Sequence, residues 1–201
     1  LYGRGAVDDG YAIFCAMAVI QILKSQDLVH ERVVILIESA EESGSFDLAY
    51  YLAEFQSIMG TPKLIICLDS GCGDYDRMWL TTSLRGGILG KLTAAMLTEG
   101  IHSGSSGPVA SSFRIIRQLL DRVEDASTGD FLIDAPNVHV PENRMTQIRD
   151  TARILGDTIF STYPLLHGCL PTTADPVDAL IRRTWHPTLS YIGVDGIPRI
   201  E

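Results

Sequence analysis

The sequence predicts an α/β fold. A parallel sheet covered by helices is expected over residues 1–86, and a second, α+β unit over residues 87–201. Three observations predict it. Helix-length and strand-length apolar runs alternate along the first part of the chain, the order that builds parallel sheets. Two of the strand-length runs are apolar throughout, as strands buried on both faces are. Hydrophobic residues make up 46% of the chain, enough for a core and too many for a disordered polymer.

In chain order, residues 10–25 (GYAIFCAMAVIQILKS) have the length of a helix and are apolar almost all round, which predicts packing on most sides. Residues 32–38 (RVVILIE) are a short β-branched run and read as a buried strand. Residues 46–58 read as a second helix, with Ser43 or Ser45 available as its N-cap. Residues 63–69 (KLIICLD) read as another buried strand. The pattern changes near Arg85-Gly86-Gly87, where the boundary between units is placed. Residues 78–84 and 88–98 are strand-like, and HSGSSGPVASS is a Gly/Ser loop. A strongly periodic helix is expected over 109–124, with Val109, Phe113, Ile116, Leu119, Leu120 and Val123 as its apolar positions. A further helix is expected over 142–157, loop over 161–176, a short helix over 177–184 and a strand over 188–194. Arg85 reads as the partner of an acid, and Trp79 and Trp185 as packing residues.

Charge and cysteine usage exclude several classes. Twenty-five acids stand against 16 bases, a formal net charge of -9, and no basic cluster exists to neutralise phosphates. Nucleic acid and anionic membrane surfaces are therefore excluded as partners. No run reaches the roughly 18 apolar residues of a membrane span. The four cysteines, Cys15, Cys67, Cys72 and Cys169, form no C-x-x-C pair, and Cys15 and Cys67 sit inside apolar runs. With no signal peptide visible, a cytoplasmic location is expected. The chain opens on Leu1 rather than Met, so it is expected to be a segment of a longer protein.

Three acidic segments carry the chemistry: Asp8-Asp9 after a Gly-rich start, Glu41-Glu42 three residues beyond the first strand-like run, and Asp69 at the end of the next. In open parallel sheets functional groups gather at the carboxyl ends of strands. Carboxylates brought together there repel and lose hydration, so they call for a cation. Each segment alone is ordinarily a solvated turn. Gly3 and Gly5 lack the remaining glycines of a dinucleotide fingerprint.

Taken in order, the segments resemble one family. LYGRGAVDDG, ESAEESGS, CLDSGCGDY with TTSLRGG, EGIHSGSSG and WHPTLSYIGVDG are similar to consecutive motifs of the co-catalytic zinc peptidases that include carnosinase, aminoacylase and glutamate carboxypeptidase. The resemblance implies a catalytic domain over 1–86 and a lid and dimerisation domain over 87–201, both incomplete. It implies two Zn2+ ions, with Mn2+ or Co2+ as alternatives. Asp8 would bridge the metals, Glu42 would bind one and Asp69 the other. Glu41 would be the general base and His102 the lid donor that supports the tetrahedral oxyanion. The Asp8-Asp9 peptide bond would be cis, and two copies would pair through the lid as a homodimer.

Such a site hydrolyses amide bonds. Zinc accepts carboxylate oxygen and histidine nitrogen, and paired metals about 3.5–4 Å apart polarise a carbonyl. One carboxylate stays off the metals to move the proton. Members of the family the chain resembles that carry aspartate at this ligand position tend to act on dipeptides, so the resemblance implies dipeptides or short peptides as substrates through Asp69. N-acyl amino acids are the alternative substrate, and a non-catalytic binding or dimerisation module is the alternative role. The family also supplies two histidine ligands, one in H-x-D and one near its C-terminus. None of His30, His102, His139, His167 and His186 lies in H-x-D, and these ligands are expected from flanking sequence. Gly10 stands where lysine is common, which leaves substrate preference open.

Overall fold

The structure is a computed structural model and describes residues 2–6 and 8–197. The chain separates into two units, Leu1–Cys72 and Gly73–Glu201.

In the first unit, α1 (Tyr11–Ser25) forms over the expected span, fifteen residues without an interior glycine or proline. Its expected burial is not found: no residue of α1 is buried, and Phe14 is 72% exposed. The expected helix over 46–58 is broken at Phe55 into α2 (Leu48–Glu54) and α3 (Gln56–Met59). Asp47 rather than Ser43 or Ser45 precedes α2, and its side chain makes no capping hydrogen bond.

The parallel sheet is absent, and the α/β reading is corrected: the described residues are helical and contain no sheet. Residues 32–38 and 63–69 lie outside any ladder, as do 78–84, 88–98 and 188–194 in the second unit, so the α+β reading fails there as well. Two isolated bridges, Ser106 with Val109 and Glu124 with Phe131, are the only β pairing among the described residues. The reason is the difference between local and non-local requirements. β-branched side chains are stiff at χ1 and suit a pleated, half-buried surface. A strand also needs a second segment at ladder spacing, and no neighbour meets that condition here. Most large apolar side chains of these runs stay open, from Val34 at 41% to Ile88 at 98% exposed.

The second unit holds the core. α4 spans Ser112–Leu120, α5 Glu142–Leu155, α6 Thr158–Ser161 and α7 Pro176–Thr184. On α5, Met145, Ile148, Ala152 and Leu155 recur at helical spacing, and on α7 Val177, Leu180 and Ile181 do the same. These faces pack together, burying Ile148, Ala152 and Leu180 with Val140 and Ile159. The ends of both helices are locally determined. The Asp175 side chain accepts a hydrogen bond from the Val177 N–H at 3.0 Å, and Pro176 starts α7 where a missing N–H costs nothing. α5 stops at Gly156, whose φ of 51° suits glycine.

Candidate functional site

Asp8 lies in the turn that follows a 3-10 helix, Arg4–Ala6, and leads into α1. The Asp8-Asp9 peptide bond is cis, as the family resemblance implies. The Gly10 N–H donates to the Gly5 carbonyl at 2.9 Å, closing this turn. A β-carbon at Gly10 would collide with that same carbonyl oxygen, so the turn excludes any side chain there. The glycine in place of the common lysine is therefore a requirement of this backbone.

Glu41 and Glu42 begin a 3-10 turn, Glu41–Ser43, and both side chains are exposed. Gly44 closes the turn with φ 100° and donates to the Glu41 carbonyl at 2.8 Å. The Ser43 and Ser45 N–H groups both donate to the Ala40 carbonyl, at 3.0 Å each. The backbone is held, while the two adjacent carboxylates stay accessible. Just upstream, Glu38 carries a side-chain oxygen that is buried and has no hydrogen-bond partner among the described residues. Sequence reasoning passed over Glu38; its signal was an acid closing an apolar run.

Asp69 is exposed and lies outside any helix. The Tyr11 hydroxyl, at the start of α1, donates to the Leu68 carbonyl at 3.3 Å. That bond ties the segment beginning at Asp8 to the segment ending at Asp69. The convergence goes no further: among the described residues, no three or more His, Cys, Asp or Glu are placed to hold a metal ion. Asp8, Glu42 and Asp69 thus do not by themselves form a cage for metal.

His102, in the second unit, precedes a 3-10 turn, Ser103–Ser105. Its Nδ1 accepts from the Gly104 N–H at 3.0 Å. In the neutral ring the proton then sits on Nε2, which leaves His102 a hydrogen-bond donor. A cavity of about 360 Å³ opens beside it, lined also by Ser103, Ser106, Ser111 and Arg114. Arg85 pairs with no acid among the described residues. Its guanidinium donates to the His186 carbonyl at 2.9 Å, the Arg182 carbonyl at 3.4 Å and the Thr188 hydroxyl at 3.3 Å. It thereby satisfies carbonyls at the end of α7, a place that favours a cation. Trp79 donates its indole N–H to Asp74 at 3.1 Å.

No helix among the described residues is long and apolar enough to cross a membrane. No curated protein matches the chain. Residues 1–72, which coincide with the first unit and carry Asp8, Glu41, Glu42 and Asp69, match the model of Peptidase family M20/M25/M40.

Proposed function

We propose that this protein is a metal-dependent hydrolase that cleaves the peptide bond of dipeptides and short peptides. One observation carries the reading: all three acidic segments fall inside the residues that match a peptidase family. Asp8, Glu42 and Asp69 supply carboxylate oxygens of the kind that zinc, manganese or cobalt accepts. In the described conformation they do not gather around one point. Glu41 is the base. Its exposed carboxylate, beside Glu42 on a backbone held by Gly44, accepts the proton of the attacking water and returns it to the leaving amine. His102 is the donor to the oxyanion, a role that its Nδ1 hydrogen bond supports by leaving the proton on Nε2. The reading includes a pair of Zn2+ ions, a catalytic part over 1–86, a lid over 87–201, a cytoplasmic location and a homodimer formed through the lid.

Glu41→Gln tests it. We expect turnover of dipeptides to fall about 10²–10⁴-fold, with the zinc content per chain unchanged. Wild-type rates in this variant would remove Glu41 as the base. The absence of a metal-holding group among the described residues favours a second reading, a non-catalytic binding or dimerisation module. That reading predicts that neither wild type nor variant retains zinc after dialysis.

A further inference from the structure

Residues 63–69 (KLIICLD) are a strand-length apolar run without a partner strand. They lie outside any helix or ladder, and none of their N–H groups donates to a backbone carbonyl among the described residues. Leu64, Ile65 and Ile66 are between 72% and 75% exposed, and Cys67 is exposed too. Unpaired N–H groups beside exposed apolar side chains are a template for another strand. In strand form, alternation places Leu64, Ile66 and Leu68 on one face, apolar from end to end, and Lys63, Ile65, Cys67 and Asp69 on the other. The run has no proline, no glycine and no net charge, the composition of segments that stack with copies of themselves. The 32–38 run has the same order of end charges, Arg32 and Glu38, but its ends are engaged. The Arg32 guanidinium donates to the Ile58 carbonyl, and a Glu38 side-chain oxygen is buried. The ends of 63–69 are open. Asp69 is exposed, and Lys63 meets Glu31 at 3.4 Å with both side chains in solvent, so that pair contributes little.

We propose that residues 63–69 are a self-association surface, and that its occupant is the same segment of a second copy of this chain, paired antiparallel. The end charges select the orientation. With antiparallel strands centred on Ile66, Lys63 of each copy stands opposite Asp69 of the other, and Ile65 opposite Cys67. A parallel, in-register pair would set Lys63 against Lys63 and Asp69 against Asp69, and like charges directly opposite one another are destabilising. Flanking charges of one sign would block pairing in either direction, whereas charges of opposite sign block only the parallel one. Each strand has two edges, so a pair still offers its outer edges to further copies. A seven-residue pair is small, and two strands alone are marginally stable, so the association is weak and depends on concentration. None of this requires the chain to be a peptidase.

Sedimentation velocity of the 201-residue chain over a range of concentrations tests the surface. Low ionic strength keeps the exposed charges unscreened. We expect the average mass to rise with concentration above the monomer value. Lys63→Asp and Asp69→Lys each turn two attractions per pair into two repulsions, and each should weaken association roughly tenfold or more. The double variant, Lys63→Asp with Asp69→Lys, restores opposite charges and should recover it. Both positions are exposed, and none of the described residues of the first unit is buried, so neither change disturbs a core. A chain that stays monomeric, or a double variant that stays dissociated, would overturn the proposal. Association that survives the single variants would overturn it as well, by assigning the contact to another surface. Cross-linking checks the register independently. In a chain whose other cysteines are replaced by serine, Ile66→Cys places a thiol directly opposite its counterpart. Cys67, kept alone, lies diagonal to its counterpart at about 7–8 Å, beyond ordinary disulfide reach. Copper-catalysed air oxidation should therefore link more dimer through position 66 than through position 67. Equal yields, or the reverse order, would overturn the antiparallel register.

Discussion

Arg182 shows how much one side chain decides when it reaches two carboxylates. Its Nε donates to Asp178 at 2.9 Å and its Nη1 to Asp130 at 2.8 Å. Burial acts to raise the Asp178 pKa. Hydrogen bonds from Arg182 and Thr173 and the charges of Arg182 and His186 outweigh it, so the carboxyl sits below its ordinary value. The sign of the linkage follows. With the folded pKa depressed, the stabilisation is fully present above the unfolded value of 3.8 and is lost as pH falls through the lower folded value. Asp178→Asn should therefore reduce stability at neutral pH and flatten its fall below about pH 4. Urea unfolding across pH measures this, and parallel profiles for the two proteins would show that the pair contributes nothing. Arg85 and Gly10 make the companion point. Neither the carbonyls that Arg85 holds nor the collision that keeps Gly10 bare is visible in the order of residues.

At the scale of elements, α1, α5 and α7 were legible, the helix over 46–58 only in part, and the strands not at all. The Asp175-Pro176 start of α7, the Gly156 stop of α5 and the apolar spacing between them are written within a few residues. The extended runs at 32–38 and 63–69 are equally clear as composition, but their pairing depends on a segment elsewhere in the chain. Packing separates the helices too. Leu180 is buried between α7 and α5, whereas Phe14 on α1 is open. Leu180→Ala should cost about 2–4 kcal/mol, and Phe14→Ala no more than about 0.5 kcal/mol. Thermal or urea unfolding checks both. Equal losses would mean that the α5–α7 contact is not where stability is concentrated.

Across the whole molecule, every buried residue among those described belongs to Gly73–Glu201, and none to Leu1–Cys72. Amide exchange should accordingly be slowest in α5 and α7 and fast through 32–38 and 63–69. If the peptidase reading holds, Zn2+ at about a hundred times its dissociation constant should slow exchange by up to about a hundredfold. That slowing should fall within residues 1–72 and leave α5 and α7 unchanged. Uniform slowing, or none, would count against metal binding by the acidic segments. The sequence by itself determined the spans of α1, α5 and α7 to within a residue or two, and the order in which Asp8, Glu41, Glu42, Asp69 and His102 follow one another. These properties are set by neighbours along the chain. Only the tertiary structure decided that the apolar runs lack a ladder and that Arg85 serves α7. Each of these is set by groups brought near through space, and spacing along the chain does not encode that proximity.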